Sequence, residues 1–184
     1  MMHETMSEPA PLPPPVAAAL LRASAAAIRA ELAAHPPALL AWHPAPGEWC
    51  AKEVIGHLAE AETRGFAGRI RRLVTAPADA PPPRFETWDQ AAVARARHDC
   101  ARELPALLAE WGRLREAGLA LVEGLRESDL GRAGHHPTVG VLSVGDLLHE
   151  WVHHDRNHFR QILAGVQAYV WGHMGNARRF SQPD

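Results

Sequence analysis

The amino-acid sequence predicts an all-α fold, an antiparallel four-helix bundle with a short extra C-terminal helix. Three observations support this prediction. Four long stretches are rich in helix formers and place apolar residues three to four positions apart. Two of the connections between them are long, and no stretch reads as a strand of convincing length. We therefore expect no β-sheet.

The chain has 184 residues, enough for one domain with a sizeable core, and 47% of them are hydrophobic. Residues 1–14 are proline-rich and polar, so we expect them to form a disordered or extended lead-in. Residues 15–184 are expected to form the bundle domain.

Charge and hydropathy exclude two classes of partner. The formal net charge is −2 and no dense Lys/Arg cluster is present, which disfavours nucleic acid. No apolar run approaches the roughly 18 residues that a bilayer span needs, so no membrane partner is expected. The chain shows no secretory signal and has only two cysteines, too few for a disulfide framework, so we expect a cytoplasmic location.

The first two helices flank a loop that contains two tryptophans. Strong helix formers run from Pro15 to about Ala34, where prolines end the first helix. The second helix is predicted from about Ala51 to Val74, with His57 at the edge of its apolar arc.

The third helix follows a proline-rich crossover loop, Ala76 to Arg84. Thr87 and Gln90 have the spacing of a capping box, and the helix continues to about Arg126 with a kink or short break at Pro105.

The fourth helix follows a loop from Glu127 to Gly140. Ser143 and Asp146 have the spacing that caps its start, and Tyr169 to Arg179 is predicted to form the short fifth helix.

The fourth helix contains two histidine pairs with i, i+4 spacing. At about 100° per residue, His154 and His158 lie at the edge of the apolar arc, whereas His149 and His153 lie on the far side. We expect the first pair to face the border of the bundle interior and the second pair to face water. Two imidazoles one turn apart can hold a divalent metal if a third ligand comes from elsewhere; a solvated histidine-rich face is the competing interpretation.

Two motifs resemble the DinB/YfiT-like superfamily. The stretch W-H-P-A-P-G-E-W-C-A-K-E-V-I-G-H-L-A-E, from Trp42, is similar to the family pattern at the start of its second helix, although Cys50 stands where a Ser is usual. The pattern H-x-x-x-H-x-x-Q-I, which begins at His154, resembles the family signature on the fourth helix. The motifs lie about a hundred residues apart in the family's order, and the helical layout covers nearly the whole chain.

The resemblance implies that His57, His154 and His158 bind a divalent metal, with zinc or nickel our first expectation. Three nitrogen ligands leave coordination positions open, as in catalytic rather than closed structural sites. Asp155 departs from the family pattern because it falls on the apolar arc, so we expect it to be paired or to lie near the site.

Other polar residues near these motifs have ordinary interpretations. Gln161 and Glu60 can hydrogen-bond near the site, but a helix-surface amide and a solvated carboxylate are favoured. Cys50 is interpreted as a packing residue rather than a redox or metal-proximal thiol. His135 and His136 are not expected to be ligands.

The resemblance leaves three functions open. The first is a metal-dependent transferase or isomerase that activates a low-molecular-weight thiol to attack a small-molecule substrate. The second is a non-catalytic, metal-stabilised helical module in stress response. The third is a metal-dependent hydrolase, for which no general base is evident. A weak homodimer is also expected, supported in the sequence by Trp88, Trp111 and Trp171.

Overall fold

A computed structural model of the chain describes residues 11–181. Along these residues the α-helices and β-strands are α1 Pro14–Ala33, α2 Pro37–Leu40, α3 Ala51–Glu60, α4 Ala67–Thr75, α5 Gln90–Arg97, α6 Leu104–Glu123, β1 Ala133–His136, β2 Gly140–Ser143 and α7 Val144–Trp171. A π-helical turn, Ala61–Phe66, joins α3 to α4, and short 3-10 turns occupy Asp99–Ala101, Glu127–Asp129 and Gly175–Phe180. Most of the predicted lead-in, residues 1–14, lies outside the described residues.

Four long helical units form the bundle, which confirms the predicted fold class. They are α1, the continuous α3–α4 unit, the pair α5 and α6, and α7. The first unit packs against α6 and α7, and α3 packs against the same two helices. The core has two clusters, one containing Leu21 and Trp151 and the other containing Ile55 and Trp111. All four of these side chains are at most 1% exposed.

The second helical unit has nearly the predicted length but is not α-helical throughout. Its π-helical turn, Ala61–Phe66, inserts one residue into the hydrogen-bond ladder and so changes which face the following residues occupy. Glu62 within the turn is only 1% exposed, and Phe66 at its end is also buried. π-Turns occur often at functional sites, and this one directly follows the helix that contains His57.

The third helical unit is broken, as Pro105 implied. The residue after α5, His98, has a left-handed backbone with φ 52°, and a 3-10 turn separates it from α6. Arg97 and Arg102 flank this turn and both bind Asp99, which is 1% exposed. The break is therefore a buried, ion-paired structure rather than a simple kink.

The predicted capping box of Thr87 and Gln90 is wrong. The N-cap of α5 is Asp89, whose carboxylate accepts a hydrogen bond from Ala92 N at 2.9 Å. A short acidic side chain directly before the helix satisfies the first free N–H groups, so the helix begins at Gln90, two residues later than a cap at Thr87 would place it.

The expectation of no β-sheet is wrong at one place, because β1 and β2 form a small antiparallel hairpin. Its register pairs His136 with Gly140 across a three-residue turn, and Gly140 supplies the positive φ of 81° there. The crossover loop joins the hairpin edge, since Phe85 N donates to His135 O at 2.9 Å. Strands of four residues are too short for an alternating pattern to reveal them.

The start of α7 confirms the predicted cap: Ser143 Oγ accepts from Asp146 N at 3.0 Å. The predicted fifth helix begins too early, since α7 continues to Trp171 and the extra helix is the 3-10 turn Gly175–Phe180. Among residues 11–181, no helix combines the length and the apolar character that crossing a membrane requires.

Candidate metal centre

The structure brings together the three histidines that the resemblance singled out. His57 comes from α3, and His154 and His158 come from successive turns of α7. His57 Nε2 lies 3.0 Å from His154 Nε2, and one ring nitrogen from each of the three residues lies within 4.8 Å of the others. Bonds of about 2.0–2.1 Å to a tetrahedral ion place two nitrogens about 3.3 Å apart, so these rings need only small adjustments to share one ion.

Aromatic side chains enclose the three rings. The His57 ring lies between Trp49 and Trp88, with centroid distances of 4.9 and 5.8 Å. Phe66, placed by the π-helical turn, meets the edge of the His154 ring at 5.1 Å. Trp49, from the loop before α3, therefore forms one wall of the histidine cluster.

This enclosure keeps the imidazoles neutral. Burial, with a smaller contribution from the neighbouring His158, lowers the pKa of His57 to about 4. Burial and the adjacent rings lower the pKa of His154 still further, and burial also lowers the pKa of His158. Neutral imidazole is the form that binds a metal ion, so the cluster has its ligands ready at neutral pH.

One hydrogen bond fixes a ligand tautomer. His158 Nδ1–H donates to Gln161 Oε1 at 2.8 Å, which leaves the lone pair on Nε2 free for a cation. Gln161 is thus a partner of the cluster rather than the surface amide that the sequence favoured. Within residues 11–181, Nδ1 of His57 and Nδ1 of His154 have no hydrogen-bond partner, so neither ring is locked in a tautomer that blocks Nε2. The donor set and its geometry fit a divalent metal.

A buried ionic cluster lies beneath the histidines. Asp155, 0% exposed, receives two hydrogen bonds from Arg115, at 2.6 and 2.9 Å. This confirms the expectation that Asp155 is paired. Glu62 on the π-helical turn accepts from Arg115 Nε at 2.7 Å and from Trp111 Nε1 at 3.2 Å. Sequence reasoning missed Arg115 and Glu62, because an arginine and a glutamate in amphipathic helices are ordinarily assigned to the solvated face.

Two carboxylates share one guanidinium in this cluster. Burial raises the pKa of Glu62 to about 7, although Arg115 and Trp111 oppose the shift and Asp155 reinforces it. Glu62 Oε2 has no hydrogen-bond partner within the described residues. Burial also raises the pKa of Asp155, although its hydrogen bonds to Arg115 oppose the shift, so two buried carboxyl groups compete for one guanidinium.

Two of the three histidines, His57 and His154, line a cleft of about 1130 Å³. Its walls come from α3–α4, the segment that leads into α5, the hairpin and the first half of α7. Residues that line it include Arg69, Trp88, Val141, Glu150 and His153. The hairpin, absent from the predicted fold, forms one side of this cleft.

The cleft changes the expected surroundings of the second histidine pair. His153 is exposed, as predicted, but His149 is only half-buried and its Nε2 accepts from Leu12 N at 2.9 Å. Both side chains line the cleft rather than an open helix face.

Glu60 was predicted to be a solvated carboxylate. It instead forms ion pairs with Arg64 and with Arg97.

The fold and the histidine cluster together define a class: four-helix-bundle proteins with a candidate three-histidine metal site. The chain belongs to the DinB superfamily, whose family model matches residues 20–162. This confirms the resemblance found in the sequence motifs.

Comparison with solved structures agrees at the level of the fold. The chain is similar to YfiT from Bacillus subtilis, which is described as a probable metal-dependent hydrolase with an unusual four-helix bundle topology. The TM-score is 0.76 at 19% sequence identity, covering 93% of this chain and 94% of the other. A comparison with functionally curated proteins finds no match.

Proposed function

We propose that this protein is a divalent-metal-dependent enzyme that acts on small molecules, with His57, His154 and His158 as the metal ligands and zinc or nickel as the metal. One observation supports this above the others: three neutral imidazoles converge beside a large open cleft, and two of them, His57 and His154, line it. A metal that only stabilises a bundle has its coordination closed by protein ligands, whereas an open position beside a cleft suits catalysis.

The reaction we put first is the transfer of a low-molecular-weight thiol to an electrophilic substrate. A cleft of about 1130 Å³ is slightly larger than the small-molecule pockets of about 300–1,000 Å³ found in most proteins, which is compatible with a thiol and a second small molecule. Arg69 on its wall can pair with a carboxylate of the thiol, and Trp88 offers an apolar surface to the substrate.

A divalent cation held by His57, His154 and His158 would lower the pKa of a thiol bound to it and so would supply a thiolate at neutral pH. In the transfer step an S–C bond forms, the leaving group departs with its electron pair, and the thiol proton passes to solvent. The protein residues hold the reactants: the histidines fix the cation, and the aromatic walls around His57 limit access of water.

Hydrolysis is the second candidate, and one structural observation favours it. The sequence offered no general base, but Glu150 and His153 both line the cleft and can accept a proton from an attacking water. The similar fold of YfiT, described as a probable metal-dependent hydrolase, is consistent with this candidate.

An activity assay distinguishes the two reactions, because the transfer requires a thiol and the hydrolysis does not. Purified protein loaded with zinc or nickel is incubated with an activated aryl halide or an activated ester, each with and without a set of low-molecular-weight thiols. Thiol-dependent formation of a thioether supports the transferase; release of a carboxylic acid without thiol supports the hydrolase. The control is His154→Ala, which removes a ligand. Equal rates for wild type and His154→Ala on both substrates would contradict an enzymatic role.

A further inference from the structure

A second cluster of metal-ligating side chains lies at the start of the α3–α4 unit. It consists of His43, Cys50 and Cys100, and one ligand atom from each lies within 4.8 Å of the others. Three separate parts of the chain supply them: the loop after α2, the N-cap position of α3, and the 3-10 turn between α5 and α6. None belongs to the proposed active site.

The histidine of this cluster is already oriented as a ligand. Its Nδ1–H donates to the carbonyl oxygen of Glu48 at 2.8 Å. Because that nitrogen carries the proton, the lone pair of the neutral ring is on Nε2, which faces Cys100 Sγ at 3.5 Å. A backbone carbonyl on one ring nitrogen and a free lone pair on the other is the arrangement typical of metal-bound histidines.

The two cysteines are arranged so that a cation stabilises both. Cys50 is 0% exposed and Cys100 is half-buried, so a thiolate at either position lacks full solvation unless a counter-charge lies beside it. Two thiolates together with one divalent ion sum to zero charge, which removes the penalty for ionising sulfur at this partly buried position. Sulfur ligands combined with imidazole select zinc among the common divalent ions.

We propose that His43, Cys50 and Cys100 form a second metal site, a Cys₂His zinc site that connects the loop before α3 to the break in the third helical unit. Water completes the coordination, since His43 lies at the surface with its side chain 44% exposed. Bound there, the ion links three separate segments: the loop after α2, the start of α3 and the 3-10 turn before α6.

Cobalt(II) is the probe that separates this site from the histidine cluster. Only thiolate ligands give an intense ultraviolet charge-transfer band with cobalt, so the three-histidine site is silent in this region. We expect the reduced full-length chain to show the band on cobalt addition and to lose it when zinc is added. Cys100→Ser and His43→Ala should each abolish or strongly reduce it, whereas the matched control His35→Ala, a histidine paired with Glu31 outside the cluster, should keep it.

Circular dichroism of each variant checks that the band is lost from a folded protein. His43 is exposed, so its replacement leaves the core intact even where a cysteine variant does not. The proposal is overturned if the reduced wild-type chain shows no band at saturating cobalt. It is also overturned if Cys50 and Cys100 instead form a disulfide in air under conditions where zinc gives no protection.

Discussion

His57 and His154 are 97 residues apart in the chain, yet their Nε2 atoms lie 3.0 Å apart between α3 and α7. Two buried neutral rings at this distance share at most one hydrogen bond, in which one Nε2–H donates to the other Nε2. A cation between them uses both lone pairs at once. The geometry therefore makes the metal-bound state the one in which both rings are satisfied.

The first prediction concerns which histidines hold the metal. His154→Ala and His158→Ala should each abolish tight binding, because either change leaves only two ligands. His153→Ala and His149→Ala should retain nearly full metal content, because these side chains line the cleft without joining the cluster. Metal analysis of the purified variants measures this. Loss of metal in His149→Ala with retention in His154→Ala would mean that the wrong helix face has been assigned.

The sequence allowed a prediction of these positions because helical periodicity is regular over the length of α7. Placing apolar residues on one arc left His154 and His158 at its edge, and both are half-buried at the cluster. The cleft beside them could not be predicted in this way. The cleft depends on the hairpin and on the π-helical turn. An i→i+5 turn cannot be recognised from an apolar pattern with the α-helical period of 3.6 residues.

A second prediction addresses Gln161. Because its Oε1 accepts from His158 Nδ1–H, it fixes the tautomer that presents Nε2. Gln161→Ala should weaken metal affinity about 10- to 100-fold without changing the number of ions bound. Gln167→Ala, at an exposed position on the same helix, is the matched control and should bind as wild type. Competition with a chromophoric chelator gives both affinities; identical values would remove Gln161 from the site.

A third prediction tests the packing between α6 and α7. A Cβ at Gly118 would lie 2.7 Å from Trp151 Cη2 and 3.1 Å from Glu62 Oε2. The Trp151 ring is 1% exposed and cannot move aside, so Gly118→Ala should lower the free energy of unfolding by about 1–3 kcal/mol. Gly165→Ala is the control, since its nearest neighbour is 3.9 Å away. The free energy of unfolding of Gly165→Ala, measured in urea, should equal that of the wild type or exceed it by up to about 1 kcal/mol.

A fourth prediction concerns assembly. We propose that the protein forms a weak homodimer, although Trp111, one of the residues that suggested it, is 0% exposed and belongs to the core. The exposed apolar residues near the end of α7, Val170 at 48% and Trp171 at 37%, remain available for such a contact. Val170→Glu should then shift the association equilibrium toward monomer. Sedimentation that shows only a 20.1 kDa species at micromolar concentration in the wild type would contradict the dimer.

The last prediction follows from the shared guanidinium of Arg115. One cation faces two buried carboxylates, Asp155 and Glu62, and burial raises the pKa of Glu62 from 4.5 to about 7. Between these two values the folded chain holds a proton that the unfolded chain releases. The stabilising contribution is therefore fully present below about pH 4.5 and is lost as the pH rises through about 7.

Glu62→Gln removes this titration, because the amide stays neutral at every pH in the range. From about pH 5 to about pH 8 the wild type should lose up to about 3 kcal/mol of unfolding free energy relative to Glu62→Gln. Urea unfolding of the metal-free proteins at both pH values measures the difference. Glu123→Gln is the control: it removes an exposed carboxylate paired with Arg22, and its difference from wild type should not change with pH. If the Glu62→Gln difference is equally flat, the carboxyl group of Glu62 is ionised throughout and Arg115 neutralises both acids.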